Sequence, residues 1–285
     1  MNEVVISLCD LTGVMVEPWV AAGYDAVLVD PQHGKYSNDG RIERLPCTVL
    51  EAACRLGEIV RGRRVALVAG FPPCTDVAVS GARWFASKAA ADKHFQTRAA
   101  LVAEQCRMIG QISGAPWFFE NPVSVFGSIF GRADHSFHPH HFTALCGADN
   151  YTKLTCLWSG GGFVMPESCI EPGIGAPDNR IHAAPPGPDR ANFRSATPRG
   201  FSRAVYMANA RHLRRQLTLW EAATDNILSS HSQMMRKAEL LQPLTECREC
   251  GERLSEARQR AVKGVQYCVA CGEAAEQREK GYRRG

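Results

Sequence analysis

Four short apolar runs set the terms for this chain. Val4 to Leu8, Ala26 to Val29, Val65 to Ala69 and Trp117 to Phe119 have the length and apolar character of buried strands. Between them lie segments with helical spacing: one reaching Ala22, one from Val49 to Val60, and a long one from Ala89 to Ser113. The runs end at Asp10-Leu11-Thr12-Gly13, at Asp30, at Phe71-Pro72-Pro73-Cys74 and at Glu120-Asn121-Pro122. Strands alternating with helices predict an α/β fold with a mostly parallel sheet, whose ligands sit at the carboxyl ends of the strands. Asp10, Asp30, Cys74 and Glu120 all fall at such ends. From Ser159 to Pro188 the chain is rich in Gly and Pro and reads as a loop or small irregular insert. Phe201 to about Leu241 reads as largely helical, until Pro243 breaks it. The organisation expected is a catalytic-sized domain over 1–215, a helical connector over 216–245 and a small module over 246–285.

Composition narrows the class. Hydrophobic residues make up 45% of the chain and charged residues 22%, the balance of a packed protein rather than a disordered one. No apolar run approaches the roughly 18 residues a membrane span needs. No basic stretch followed by an apolar segment opens the chain, so a cytoplasmic protein without a membrane partner is expected. Twelve cysteines in 285 residues do not suit a disulfide scaffold, which is usually a short secreted domain. In a reducing compartment they serve as core residues, metal ligands or nucleophiles. The net charge of +4 permits a nucleic-acid partner without requiring one.

One constellation carries chemistry. The 5-position of cytosine is a poor nucleophile, and adding a thiolate to ring carbon 6 activates it. A carboxyl group must then engage ring N3 as charge develops there. The minimal parts are a thiol on a rigid turn, a nearby carboxyl and an adenosine-binding sheet edge. Pro72-Pro73-Cys74 supplies the stiff turn, Glu120 the carboxyl, Asp10 to Gly13 a donor loop, and Asp30 an acid placed for ribose hydroxyls. Taken one at a time, the bland readings are a core thiol, a turn and two helix caps. Arg83, Lys153, Arg194 and Arg199, taken singly, read as surface or structural charges.

In this order, Asp-Leu-x-Gly, the strand-end Asp30, Phe-Pro-Pro-Cys, Glu-Asn-Pro and Arg194-Ser-Ala-Thr197-Pro198-Arg199 resemble the DNA cytosine 5-methyltransferase family. The resemblance covers roughly residues 4 to 210. Cys74-Thr75-Asp76-x-Ala78-Val79-Ser80-Gly81-Ala82-Arg83 and Tyr151-Thr152-Lys153 make it similar to a compact branch of phages and prophage-rich genomes. It implies a Rossmann-like methyltransferase domain acting on DNA with S-adenosylmethionine. Cys74 becomes the nucleophile and Glu120 the cytosine contact, with Lys153 and Arg194 beside them. Asp10, Leu11, Thr12, Gly13, Asp30 and Pro72 become cofactor-binding residues. The chain departs from the family where Pro122 replaces Val, and where a motif with two arginines is reduced to Thr152-Lys153-Leu154-Thr155. The closing motif near the donor's methionine end is not evident after Asn209. The interval Ser159 to Phe193 is too short for an independent recognition domain, so target choice is expected to be short and tolerant. Arg180, His182 and Arg190 are the expected groove contacts.

Cys247-x-x-Cys250, seventeen residues, then Cys268-x-x-Cys271 is the spacing of a four-thiolate structural zinc site. With its surrounding residues it resembles the DksA/TraR-type zinc finger, a family that includes regulators of bacterial RNA polymerase. The acidic coiled-coil hairpin of that family is not found here. The expected partner is DNA, with RNA polymerase or another protein as an alternative for the finger. Asp134 to His141 holds four histidines, but no Cys or Glu stands at ligand spacing with them, and a solvated loop near the catalytic face is expected. Two other readings stay open: a non-catalytic binding protein on the same scaffold, and transfer of a modified one-carbon or carboxymethyl-type group from a related sulfonium donor.

Overall fold

The computed structural model describes residues 2–185, 187, 190–210, 229, 244–262 and 264–282. It divides into two compact units, Met1–Arg214 and Arg215–Gly285. Among the described residues, no helix is long and apolar enough to cross a membrane.

The first unit is mixed α/β, built on an eight-stranded sheet of order β3-β4-β2-β1-β5-β6-β8-β7. The strands are β1 (Glu3–Leu8), β2 (Asp25–Val29), β3 (Ser37–Asp39), β4 (Ile42–Leu45), β5 (Arg64–Gly70), β6 (Trp117–Pro122), β7 (His135–Phe137) and β8 (Thr155–Gly160). β1 pairs in parallel with both β2 and β5; β4 continues the parallel set beyond β2, and β6 continues it beyond β5. β8 runs antiparallel to β6 and β7, and β3 antiparallel to β4. The order reverses direction at β1 and β5, which makes their carboxyl ends the switch point where such sheets hold ligands.

The apolar runs form strands because both faces of the sheet are covered. Val4, Ile6 and Leu8 pack on one side with Val49 and Ala52 of α2 (Val49–Cys54) and with Ala103, Cys106 and Ile109 of α5 (Phe95–Ser113). Val5 points to the other side with Trp19 of α1 (Glu17–Ala21) and Phe201 and Val205 of α9 (Arg199–Asn209). Alternate β-carbons along one strand thus feed two cores.

Several boundaries differ from the sequence reading. The segment 49–60 is two helices, α2 and α3 (Leu56–Val60), because the chain leaves helical geometry at Arg55. A capping box between Thr48 and Glu51 starts α2. The long helix expected from Ala89 is also two: α4 (Phe85–Ala91) and α5. Asp92 is extended and its carboxylate accepts from the His94 amide, offering the backbone an alternative to the helix. Residues 134–141 are not a solvated loop: they form edge strand β7 and a tight turn, with Phe137 and Phe142 buried. β8 begins inside the stretch read as motif and loop. The expected connector over 216–245 falls outside the described residues except Ser229, Leu244 and Thr245.

Gly110 of α5 faces Trp117 across the core, where an added Cβ would stand 2.3 Å from the indole. Gly110→Ala is expected to cost about 1–3 kcal/mol by overpacking, read as a lowered melting temperature of the first unit.

Candidate active site and metal centre

Phe71-Pro72-Pro73-Cys74 leaves the end of β5. The Pro72 carbonyl accepts a 3.0 Å hydrogen bond from Nδ2 of Asn121, a fully buried residue of β6. That bond ties the thiol-bearing turn to the neighbouring strand. After Cys74 the chain makes one helical turn, with the Cys74 carbonyl accepting from the amides of Val77 and Ala78. Residues 77–79 then zip onto residues 123–125 through Val79 N to Val123 O and Val125 N to Val77 O. The nucleophile candidate is therefore held from both sides.

Glu120 lies one residue before Asn121. Lys153 donates to its Oε1 at 3.3 Å, and both side chains are largely buried. Lys153 reaches this point because β8 reverses direction, bringing its start beside the end of β6. Lys153 is thus not the surface charge it seems in isolation. Burial, reinforced by the negative charge of Glu120, pushes the Cys74 thiol up from its ordinary value. Lys153 and Arg194 pull it the other way. Arg194 lies on α8 (Arg190–Ser195), and its Nε is buried without a partner. Cys74, Glu120, Lys153 and Arg194 thus form one electrostatic cluster. Arg199, by contrast, is exposed and paired with Glu17.

The two acids at the other strand ends have different local roles. Asp10 spends its carboxylate on its own loop: Oδ1 accepts from the amides of Thr12 (2.9 Å) and Gly13 (2.8 Å) and from the Thr12 hydroxyl, and Oδ2 from the Ser7 hydroxyl. It shapes the turn that leaves Leu11 half-buried and Thr12 exposed. Gly13 has φ +73°, which L side chains avoid. Asp30 caps the short turn after β2 through one oxygen, accepting from the Gln32 amide at 2.8 Å. Its other oxygen has no protein donor among the described residues. Nε2 of His33, in the same turn, is buried without a partner. Both groups can hydrogen-bond a polar ligand. His33 and Asn121 were not read as site residues from sequence; only proximity to motif residues could have flagged them.

Expected groove contacts are otherwise engaged. Arg180 makes a bidentate pair with Asp178, donates to the Ala148 carbonyl and lies over the Tyr151 ring. Arg190 donates to the Ala184 carbonyl. The His182 side chain lies outside the described residues. His138, His140 and His141 cluster with ring centroids 4.6–5.6 Å apart, yet among the described residues only the four-cysteine group meets metal-ligand geometry. A cleft of about 470 Å³ lies toward the start of β6, lined by Arg107, Trp117, Phe130 and Arg132, and contains neither Cys74 nor Glu120.

In the second unit, the Sγ atoms of Cys247, Cys250, Cys268 and Cys271 lie within 4.8 Å of one another. Cys250 and Cys268 are 3.7 Å apart. Four thiolates at about 2.3 Å from zinc stand about 3.8 Å from each other, so the group is a tetrahedral zinc site with no open position. The Cys247 amide donates to the Glu252 carbonyl and the Gly251 amide to the Cys247 carbonyl, folding the first knuckle. Arg248 N to Gln266 O joins it to the second. Among the described residues the core here is Cys247, Leu254 and Val265, with Tyr267, Cys268 and Cys271 packed against it. So few apolar side chains cannot offset chain entropy without the metal.

Residues 243–277 match a known family. It is the prokaryotic dksA/traR C4-type zinc finger. No curated protein matches the chain.

Two outcomes follow from these geometries. Alkylation of Cys74 followed against pH is expected to titrate above the ordinary thiol value. Glu120→Gln should move the midpoint down, since a negative charge near the thiolate is removed, and Lys153→Met should move it up. Separately, the purified chain should carry one zinc. Chelation or Cys247→Ser should unfold the segment 244–282, seen as lost protease resistance there, while the first unit's melting transition stays in place.

Proposed function

We propose that the chain is a DNA cytosine 5-methyltransferase that uses S-adenosylmethionine and a covalent Cys74 adduct. The observation that carries this reading is the convergence of Cys74, Glu120, Lys153 and Arg194 at the carboxyl ends of β5 and β6, next to the switch point of a mostly parallel sheet. Asp30 would hold the cofactor's ribose, with the Leu11–Gly13 loop and Pro72 bordering the same crevice. S-adenosylmethionine, when bound, supplies an electrophilic methyl group.

The chain's own residues do the rest. The target cytosine must leave the base stack to reach a thiol set on a turn. Cys74 sulfur bonds to ring carbon 6, and the ring electrons shift toward carbon 5. Glu120, in its protonated form, gives N3 a proton as negative charge develops there, and takes it back when the sulfur leaves. Lys153 keeps the Glu120 carboxyl oriented, and with Arg194 it favours the thiolate over the neutral thiol that burial prefers. Once carbon 5 carries the methyl group, its bond to the donor's sulfonium sulfur broken, loss of the carbon-5 proton to a water base lets the Cys74 sulfur leave and restores the ring.

A second reading concerns the finger. The match over 243–277 supports docking on RNA polymerase, as the finger's family includes polymerase regulators. Under the first reading the finger adds DNA affinity, and modification falls on many cytosines sharing a short context.

The test is incubation of the full chain with DNA and labelled S-adenosylmethionine, followed by nucleoside mass spectrometry. The expected product is 5-methylcytosine, and a heavier adduct would point to the modified one-carbon donor instead. Cys74→Ser should lower turnover by at least about a thousandfold with the fold intact. DNA containing 5-fluorocytosine should become covalently attached to the wild type and not to that variant. Full turnover in Cys74→Ala would end the proposal.

A further inference from the structure

Five residues beyond Cys74 a short 3-10 turn, Val79–Trp84, leads into α4, and neither element contains a buried residue. Helices normally hide a face, so thirteen consecutive residues without one need a reason. The segment is nonetheless anchored at the site. Lys88 donates to the Thr75 carbonyl at 3.0 Å and pairs with Asp76 at 2.7 Å. An added Cβ on Gly81 would come within 4.0 Å of that same carbonyl. The turn and α4 are therefore folded back over the residues that follow the thiol.

At the junction stand Arg83 and Trp84. Trp84 is 56% exposed, the largest exposed aromatic of the first unit's described residues. The Arg83 guanidinium sits 5.1 Å from its ring centroid and has no carboxylate partner among the described residues. The acids nearby are neutralised, Asp76 by Lys88 and Asp92 by Arg98. From Cys74 to Arg98 four basic residues face two acidic ones, so the segment is net positive.

We infer that Arg83 and Trp84 form a stacking platform for a DNA strand, gripping a base next to the one presented to Cys74. An indole face accepts any base, a guanidinium answers the adjacent phosphate, and the positive balance matches a polyanion. This rests on the DNA reading above, but it concerns binding and needs no methyl transfer.

The experiment is anisotropy of a fluorescently labelled oligodeoxynucleotide duplex with one unpaired cytosine, titrated with the full zinc-loaded chain without cofactor. Trp84→Ala is expected to weaken binding about 5- to 100-fold, and Trp84→Phe to keep most of it. Arg83→Ala should weaken binding and lower the slope of affinity against salt by about one. Circular dichroism checks that each variant folds. If the folded Trp84→Ala variant binds DNA as the wild type does, the inference falls and the pair serves another occupant. If all three results appear but no modified cytosine forms in the product assay, the platform stands and only the chemistry is wrong.

Discussion

The parallel pairing of β1 with both β2 and β5 governs everything else in the first unit. Parallel neighbours cannot be joined by a hairpin, so each strand must be followed by a crossing segment that returns to the opposite end. All the departing turns then lie on one rim. Asp10, Asp30 and Cys74 reach that rim from three different strands without any contact between them in sequence, and Glu120 reaches it from a fourth. The helices that make the crossings supply the apolar cover that lets Val, Ile and Leu fill both faces of the strands.

On that rim, polar groups are held by burial and pairing rather than by solvent. Asn121 donates one amide hydrogen bond to the turn that carries the thiol, while its Oδ1 stays buried without a partner. A buried acceptor without a donor costs free energy, and binding sites are where such costs persist. The same logic covers Arg194 Nε and His33 Nε2. Three unsatisfied atoms near one rim describe a surface shaped for something polar. The Cys74 environment adds a tension of its own: low polarity favours the thiol, two cations favour the thiolate, and the balance shifts with whatever enters.

The parts of the fold visible in the sequence were those with strong local signals. β1, β2, β5 and β6 are uninterrupted apolar runs, and the spacing of Cys247, Cys250, Cys268 and Cys271 has few uses besides metal binding. The parts that escaped are short or polar. β3 is the polar triplet Ser37-Asn38-Asp39, and β4 holds two adjacent charges, Glu43 and Arg44, with Glu43 paired to Arg61 from farther along the chain. β7 is three residues long. The break at Asp92 depends on a side chain competing for one amide, which periodicity does not register. Lys153 and Arg194 could be matched to motifs, but their approach to Cys74 follows from strand reversal and from α8, both long-range. The pairing of Arg180 with Asp178, two residues away, was likewise not legible from the motif order.

The reversed strand β8 sets a limit on how this chain can change in length. Its ladder with β6 places Leu157 opposite Glu120 and Thr155 opposite Pro122. Gain or loss of one residue between Lys153 and Trp158 would turn every side chain of β8 to the other face, sending Leu157 toward the wrong core and Lys153 away from Glu120. The irregular stretch after Gly160 is pinned at separate points, among them Val164 to Asn209, Cys169 to His141 and Ala144, and Asp178 to Asn150 and Thr152. A change of length between those points alters a loop and not a strand register, so it leaves the rim in place.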